Sequence, residues 1–349
     1  MLEELKVLKE DIKALSIVAF EKQMENQPVL KNYGKRGFEN AVQGSTYLLQ
    51  IFFAALEHDS FILLKKYIEW VKSFLQKIQL PPKSLYFYLD SLQAILKGKV
   101  KDEELQSTVD EYITRAKELL EEEVEIKTFI ENSNPYINQL LLYKDLVFKN
   151  KKNEAKEMIA GLIAGGIPIK DIYLHIFQPF QYEVGRLWQL GFINVAQEHY
   201  YTATTQFIMS NLYDYIFSGK KNEYGVVAAC VEGELHEVGI RMVTDFLENE
   251  GFNTCYLGAN SPISDTLDIL AESKSHILAL SATMIFNIPK VASLIEQIKK
   301  REELNHIKII VGGYPFGVDG SLWKKIRADS CASSLETITA TVYNMLTLS

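Results

Sequence analysis

The sequence predicts a multi-domain protein with an all-α N-terminal domain, a central four-helix bundle and a C-terminal α/β domain built on a doubly wound parallel sheet. Three observations predict this fold class. The chain has 349 residues, more than one ordinary core accommodates. Apolar residues recur at helical spacing in the first two thirds of the chain, and short apolar runs then alternate with amphipathic segments. We expect domains at 1–125, 130–218 and 222–349.

The N-terminal domain is predicted from its helical periodicity. The stretches Tyr47–Leu56 and Phe61–Leu75 carry apolar residues three and four positions apart, which places them on one helix face. The Pro81–Pro82 pair then interrupts the pattern. A last helix, Asp102–Glu123, ends in an acidic run that we interpret as a solvated boundary.

The central bundle is predicted from three helix breaks within residues 135–217. The breaks are 150–153, Gly165–Pro168 and Gly191, and they divide this stretch into four helices. Four helices with short connections are typical of a bundle. Pro179 falls in the middle of the third helix and is expected to kink it.

The C-terminal domain is predicted from strands that alternate with helices. Short apolar runs predict five strands, at 226–230, 254–257, 277–280, 307–311 and 330–332. Helices are expected at 238–250, 263–273, 288–301, 320–327 and 335–347. This alternation predicts a parallel sheet with Rossmann-like or flavodoxin-like winding, in which ligands bind outside the carboxyl ends of the strands.

Composition and charge exclude several classes of protein. A formal net charge of -8 argues against nucleic-acid binding by this chain alone. No apolar run reaches the roughly 18 residues of a membrane span, and the charged N-terminus is unlike a secretory signal, so we expect a cytoplasmic protein without membrane contact. Cys230, Cys255 and Cys331 lack paired metal-ligand spacing, so neither disulfides nor a zinc site are expected.

A glutamate and a histidine follow the first predicted strand. Glu234 and His236 lie in the turn, and Gly239 at the start of the next helix allows close approach of a bulky group. Glu234 is placed to hydrogen-bond the ring nitrogen of His236 that faces away from a ligand, as in many metal-bound imidazoles. A lone histidine in a turn is more often a surface residue, so the choice depends on the motifs that follow.

Two further motifs follow at strand ends. Forty-one residues separate Gly239 from Ser281, which lies with Thr283 at the end of the third strand. Twenty-eight residues then separate Thr283 from the Gly312–Gly313 pair after the fourth strand. Together with His236, this set resembles the signature of the cobalamin-binding fold shared by methionine synthase, mutases and corrinoid proteins. Ordinary strand-end turns are the alternative explanation.

This resemblance implies a role for each residue of the set. His236 would be the lower cobalt ligand, in place of the benzimidazole tail of the cofactor. Ser281 and Thr283 would hydrogen-bond the displaced tail, and Gly312–Gly313 would leave room for it where a Cβ would collide. The family usually has aspartate at the position of Glu234, which puts the hydrogen bond to His236 and the strength of the cobalt–histidine bond in question.

The helical bundle carries a second resemblance. Trp188 is followed after nine residues by Glu198 and His199, with Gly191 as a helix break between them. The pattern resembles the cap of CarH-type photoreceptors, which hold adenosylcobalamin in the dark. The resemblance implies that Trp188 packs against the adenosyl group, that Glu198 hydrogen-bonds it, and that His199 becomes the upper cobalt ligand after photolysis. The alternative is a core tryptophan and a polar pair on a helix surface.

The N-terminal domain loosely resembles the globin-like domain of photocobilins, which binds biliverdin. The stretch Asn32–Gly37, followed by aromatic-rich helices, carries this resemblance. Because the segment contains one histidine, His58, and no cysteine, a bilin would be held there without covalent attachment. An aromatic core without pigment is the alternative.

These resemblances predict an adenosylcobalamin-dependent light sensor. Photolysis would move the cap, change a light-dependent self-association and signal to an unidentified downstream protein. A carrier of methylcobalamin for a separate methyltransferase is the second hypothesis, and a cobalamin-level sensor without photochemistry is the third. An enzyme is not expected, because the sequence shows no barrel domain of about 250 residues of the kind that holds substrate in cobalamin mutases. Transcriptional repression is not expected either, since no helix-turn-helix domain is recognised.

Overall fold

The computed structural model describes residues 2–123, 125–216, 220–332 and 334–347. The chain divides into two compact units, Met1–Glu125 and Ile126–Ser349. Residues 217 and 218, at which the central bundle was predicted to end, lie outside the described residues. No helix in the described part of the chain is both long enough and apolar enough to be a candidate membrane span.

The first unit is helical, as predicted. Its helices are α1 (Leu2–Glu10), α2 (Ile12–Asn26), α3 (Gly34–Glu57), α4 (Phe61–Lys77), α5 (Lys83–Lys99) and α6 (Glu103–Glu118). The apolar face of α3 is buried along its second half, where Phe52 and Phe53 have no exposed surface. Asp102 caps α6 by accepting a hydrogen bond from the Leu105 N–H at 2.9 Å. These helices confirm the all-α prediction but not a globin-like arrangement.

The second unit begins with a helical bundle. Its helices are α7 (Ile137–Phe148), α8 (Lys152–Ala164), α9 (Ile169–Ile172), α10 (Gln178–Gln189), α11 (Val195–Ser210) and α12 (Tyr213–Ile216). A π-helical turn, Tyr173–Phe177, joins α9 to α10 just before Pro179. The predicted kink is therefore replaced by a local change from α-helical to π-helical hydrogen bonding just before Pro179, which has no N–H to donate.

The remainder of the second unit is an α/β domain. Its elements are β1 (Gly225–Val231), α13 (Val238–Asn249), β2 (Asn253–Ser261), α14 (Ile263–Glu272), β3 (Ser275–Ser281), α15 (Ile288–Lys300), β4 (Lys308–Gly312), α16 (Tyr314–Val318), α17 (Leu322–Lys325), β5 (Ser330–Ala332) and α18 (Leu335–Thr347). All pairings are parallel, in the order β2-β1-β3-β4-β5. This doubly wound order confirms the predicted sheet and puts its switch point between β1 and β3.

One hydrophobic core joins the bundle and the sheet. β1 is buried from Val226 to Val231, as expected for a strand covered on both faces. Phe177 and Phe180 of the bundle belong to the same buried cluster as Val226 and Ile277 of the sheet. Burial of each such side chain contributes about 1.5–3 kcal/mol relative to an exposed one.

Several elements differ from the predictions. The helix predicted to reach Glu123 is α6, which ends at Glu118, and the helix predicted at 320–327 is only α17 (Leu322–Lys325). β2 continues past the predicted end at Leu257 as far as Ser261, through Gly258 and Asn260, which both have positive φ. Those residue types are typical of turns, but here they accompany a shift in the register between β1 and β2. The short helix α16 was not predicted, because its Pro315 and Gly317 are also turn residues.

Candidate functional site

His236 lies in the loop between β1 and α13, at the carboxyl edge of the sheet beside the switch point. Its side chain is 58% exposed, whereas that of Glu234 is fully buried. Glu234 Oε1 lies 2.5 Å from His236 Nδ1 and accepts a second hydrogen bond from the His236 backbone N–H at 3.1 Å. Because Nδ1 faces this carboxylate, Nε2 is the ring nitrogen left for a ligand.

The second oxygen of Glu234 is anchored to the loop after β3. Oε2 accepts hydrogen bonds from the backbone N–H groups of Thr283 and Met284, both at 2.8 Å, and from Asn287 Nδ2 at 3.0 Å. The cobalamin-binding signature usually has aspartate at this position. The longer Glu234 side chain contacts the loop after β3 with one oxygen and still accepts the hydrogen bond of His236 with the other.

The ionisation of this pair follows from the same contacts. Burial alone raises the pKa of Glu234, but hydrogen bonds from His236 and the Met284 N–H outweigh it and lower the pKa to about 2. Glu234 is therefore ionised at neutral pH. Its hydrogen bond raises the pKa of His236, with burial acting in the opposite direction.

The other strand-end residues lie at the same edge of the sheet. Ser281, the last residue of β3, is 7% exposed and pairs in register with Gly312, the last residue of β4. Thr283 is half-buried two residues further on. The loops after β1, β3 and β4 thus bring the predicted residues together, as the winding of the sheet requires.

The three glycines of the predicted site, Gly239, Gly312 and Gly313, differ in how much space surrounds them. Gly313 has a φ of +108°, and a Cβ there would lie 2.1 Å from the Ala282 carbonyl oxygen. A Cβ at Gly312 would lie 3.2 Å from the Ala332 carbonyl oxygen. The fold therefore demands glycine at 313 with or without a bound tail. By contrast, a Cβ at Gly239 would meet no atom within 4 Å, so the start of α13 faces open space.

The three cap residues occupy different environments. Trp188 is partly buried and packs against the core of the second unit, as the core-tryptophan alternative expects. His199 is 74% exposed, and its Nε2 lies 3.5 Å from Glu198 Oε2. Glu198 contributes to the raised pKa of His236, after the effects of Glu234 and burial.

The sequence did not predict the residues that anchor this loop to the rest of the unit. Besides Asn287, the main one is Glu237, whose Oε2 accepts hydrogen bonds from Tyr256 Oη at 2.9 Å and from the Ala259 N–H at 3.1 Å. Its Oε1 accepts from Gln206 Nε2 at 2.8 Å. Gln206 lies 31 positions from Glu237, and Asn287 lies 53 from Glu234, so no local pattern signals these contacts.

The donor set suits a metal that brings most of its own ligands. Within the described residues, no group of three or more His, Cys, Asp or Glu side chains could hold a metal ion. A corrin ring would bring most of the ligands of its cobalt with it, so the protein would need to provide only one. An exposed imidazole oriented by a buried carboxylate, next to the open space at Gly239, fits that requirement.

Comparison with known proteins gives matches in the second unit. Residues 224–340 match a family model described as a B12 binding domain, and residues 142–213 match a second model with the same description. Dimethylamine corrinoid protein 3 from Methanosarcina acetivorans is 28% identical over 99 residues, which are 28% of this chain and 46% of that protein. Trimethylamine corrinoid protein 1 from the same organism is 31% identical over 121 residues, or 35% and 55%. The chain thus spans about half the length of these relatives.

A solved structure shares the fold of this region. The monomethylamine corrinoid protein of Methanosarcina barkeri covers 60% of this chain and 99% of its own, with 20% sequence identity and a TM-score of 0.54. At that identity the likeness concerns the fold alone.

The relatives overturn two predictions. The prediction of a light sensor is wrong, because the similar proteins are corrinoid proteins named for methylated amines. Light-dependent self-association, predicted from the same resemblance, is wrong for the same reason. The core packing of Trp188 supplies a physical explanation: the tryptophan has a structural role that needs no adenosyl group. The expectation that the chain is not an enzyme agrees with the relatives, which are named as corrinoid proteins.

The sheet order, the oriented histidine and the family matches point to one conclusion. Residues 142–213 and 224–340 of this chain are B12-binding domains, a helical cap followed by a Rossmann-like domain with a parallel sheet.

Proposed function

We propose that this chain is a corrinoid carrier, which binds a cobalamin-type cofactor through His236 and presents it to a separate methyltransferase. The observation that supports this most directly is the exposed imidazole of His236 held by the buried carboxylate of Glu234 at 2.5 Å. The relatives named as corrinoid proteins of dimethylamine and trimethylamine support the carrier role. A bound corrinoid supplies a cobalt centre that takes a methyl group from a donor and passes it to an acceptor.

In this proposal His236 would hold the cobalt through Nε2. Glu234 holds the ring in one orientation, and its hydrogen bond at Nδ1 increases the electron donation of the opposite nitrogen. Because five hydrogen-bond donors share the two oxygens of Glu234, the carboxylate cannot turn away without leaving buried groups unpaired.

The tail of the cofactor would enter beside the same strand ends. We assign Ser281 and Thr283 as hydrogen-bonding partners of the tail, and the surface at Gly312 and Gly313 as the backbone along which it lies. The start of α13 at Gly239 has the space that a bulky group needs. On the cap side, Glu198 and His199 would face the upper ligand, while Trp188 supports the cap from its core.

The form of the cofactor follows from the carrier role. We propose that a methyl-bearing corrinoid, rather than adenosylcobalamin, is the working form. Biliverdin binding by residues 1–125 stays a prediction, and an absorption spectrum of that unit after incubation with biliverdin tests it.

Cofactor binding is tested with hydroxocobalamin. The wild-type protein should retain about one corrinoid per chain on gel filtration, and the His236→Ala variant should bind at least about tenfold more weakly, since a ligand to the metal is lost. His306→Ala is the matched control, because His306 is exposed and precedes β4 at the opposite edge of the sheet. Equal binding by wild type and His236→Ala would overturn the proposed mode.

The carrier role is tested on the loaded protein. After reduction with titanium(III) citrate and treatment with methyl iodide, the absorption spectrum should show methylation of the corrinoid while it stays bound to the chain. Adenosylcobalamin should bind no more tightly than methylcobalamin. Release of the cofactor on methylation, or strong selection of the adenosyl form, would contradict a carrier.

A further inference from the structure

Two helices of the second unit carry matching series of polar residues. On α11 four of them lie four positions apart: Glu198, Thr202, Gln206 and Ser210. A second series runs from the residue before α13 into that helix with the same spacing: Glu237, Arg241 and Asp245. Residues four apart lie on one face of a helix, so each series forms a stripe.

Hydrogen bonds join the two stripes one turn at a time. Gln206 Nε2 donates to Glu237 Oε1 at 2.8 Å, and Arg241 Nη2 donates to Ser210 Oγ at 2.7 Å. Both pairs advance by four residues along each helix, so the turns of α11 and α13 are matched and the helices run in the same direction. We call these two contacts the ladder.

The ladder ends at Gln206 and Glu237, next to the start of α13, but α11 begins several turns before Gln206. Because α13 starts at Val238, the turns of α11 that precede Gln206 extend past the start of α13 toward the histidine loop. Those turns carry Thr202 and Glu198, and Thr202 Oγ1 donates to Glu198 Oε1 at 3.0 Å.

Three hydrogen bonds hold the Glu237 side chain, so it can fix the position of α11 through Gln206. Its Oε2 accepts hydrogen bonds from Tyr256 Oη and from the Ala259 N–H, both on β2, so these two bonds fix the Glu237 side chain to the sheet independently of Gln206. It is also the direct neighbour of His236 in the chain. A shift of α11 along α13 would therefore break a contact next to the proposed cobalt ligand.

We propose that Gln206 and Glu237 are positioning residues, whose hydrogen bond fixes α11 along α13 and so holds Glu198 facing the corrinoid-binding edge of the sheet. The part of this inference that concerns the corrinoid rests on the proposed function. The ladder itself does not, and the two can be tested separately.

The ladder is tested on the protein without cofactor by amide hydrogen exchange. Gln206→Glu places a second carboxylate against Glu237, so exchange should accelerate by about tenfold or more in residues 195–206 and 232–238. Adding Glu237→Gln should restore slow exchange, because the new amide donates to the new carboxylate and its oxygen still accepts from Tyr256. Ser210→Ala, which removes the contact farther from the loop, is the control and should leave residues 232–238 unchanged. A double variant that exchanges as fast as Gln206→Glu would overturn the ladder.

The positioning role is tested by the dissociation of hydroxocobalamin. Gln206→Glu and Glu198→Gln should each accelerate dissociation by about tenfold, and the two together should do no more than either alone, because both disturb the same group. Effects that multiply would show that Gln206 acts on stability alone and would overturn the positioning role. If the wild type binds no corrinoid, the proposed function fails, and the exchange experiment still decides on the ladder.

Discussion

The two oxygens of Glu234 have separate tasks. One oxygen orients His236, and the other holds the loop after β3 to the loop after β1. The sequence places Glu234 two residues before His236, which is enough to predict their hydrogen bond. It contains no signal for the donors on the second oxygen, because the fold alone brings Asn287 beside Glu234.

Asn287 offers a test of this arrangement. Its side chain is buried and donates to Glu234 Oε2, so Asn287→Leu should loosen the carboxylate that orients His236 by removing one of its donors. We expect hydroxocobalamin to bind about 10- to 100-fold more weakly, the usual effect of removing a partner of a metal ligand, as measured by absorbance titration. Asn305→Leu, at an exposed turn before β4, is the matched control. Unchanged affinity of the Asn287 variant would contradict the role of Glu234.

Asp245 offers a test of electrostatics inside the second unit. Burial raises the pKa of Asp245 to about 6, although Tyr173 donates a hydrogen bond to it at 2.8 Å and Arg241 lies nearby. Because the folded pKa lies above the unfolded value near 4, the folded state binds the proton more tightly, and the free energy of unfolding should fall as pH rises from about 4 to about 6. Asn accepts the same hydrogen bond without a charge, so Asp245→Asn should be more stable than wild type at pH 8 by about 1–3 kcal/mol.

Urea unfolding at several pH values measures this difference. The advantage of Asp245→Asn should shrink toward pH 4 and vanish near about pH 3, where the wild-type carboxyl is protonated in both states. A difference in unfolding free energy that stays constant from pH 4 to pH 8 would show that Asp245 does not titrate as the structure implies.

At the scale of the elements, Gly313 after β4 packs tightly against the backbone of Ala282, which follows β3. A Cβ at Gly313 would overlap the Ala282 carbonyl, and its positive φ disfavours any side chain. Gly313→Ala should therefore lower the free energy of unfolding of the cofactor-free protein by about 3 kcal/mol or more. Gly239→Ala is the contrasting variant: nothing lies near its Cβ, so stability should hold while corrinoid binding weakens. Equal stability of wild type and Gly313→Ala in urea would refute this account.

Most elements were predictable from periodicity alone. The strands of the sheet are short apolar runs between amphipathic helices, and their predicted bounds lie close to those observed except in β2. The failures at β2 and α16 share one cause: turn-type residues lie inside regular elements, namely Gly258, Asn260, Pro315 and Gly317. Likewise, Pro179 predicted a kink, but only the structure shows the π-helical turn that accommodates it.

The whole molecule divides into two compact units, and the proposed site lies in the second of them. All residues of the proposed site, and both family matches, fall within Ile126–Ser349. Because a compact unit with its own core can fold alone, a fragment of residues 126–349 should bind hydroxocobalamin within about threefold of the full chain's affinity. Gel filtration and absorbance titration measure this. A folded fragment that binds much more weakly would show that the first unit contributes to the site.

Function was less predictable than the site. The residues after β1, β3 and β4 predicted the cofactor class, which the matches to B12 binding domain models support. The roles of those residues in holding a corrinoid, and the methyltransferase partner, are proposals. The spacing of Trp188, Glu198 and His199 suggested a photoreceptor, but the packing of Trp188 and the methylamine relatives favour a carrier.

The most direct measurement is electron paramagnetic resonance of the protein loaded with cobalamin, reduced by one electron and prepared with histidine labelled with nitrogen-15. If His236 has replaced the benzimidazole, the splitting by the axial nitrogen should change from a triplet in unlabelled protein to a doublet in labelled protein, and the doublet should disappear in His236→Ala. A triplet that persists in the labelled protein would mean that the cofactor keeps its own base, and the central claim would be wrong.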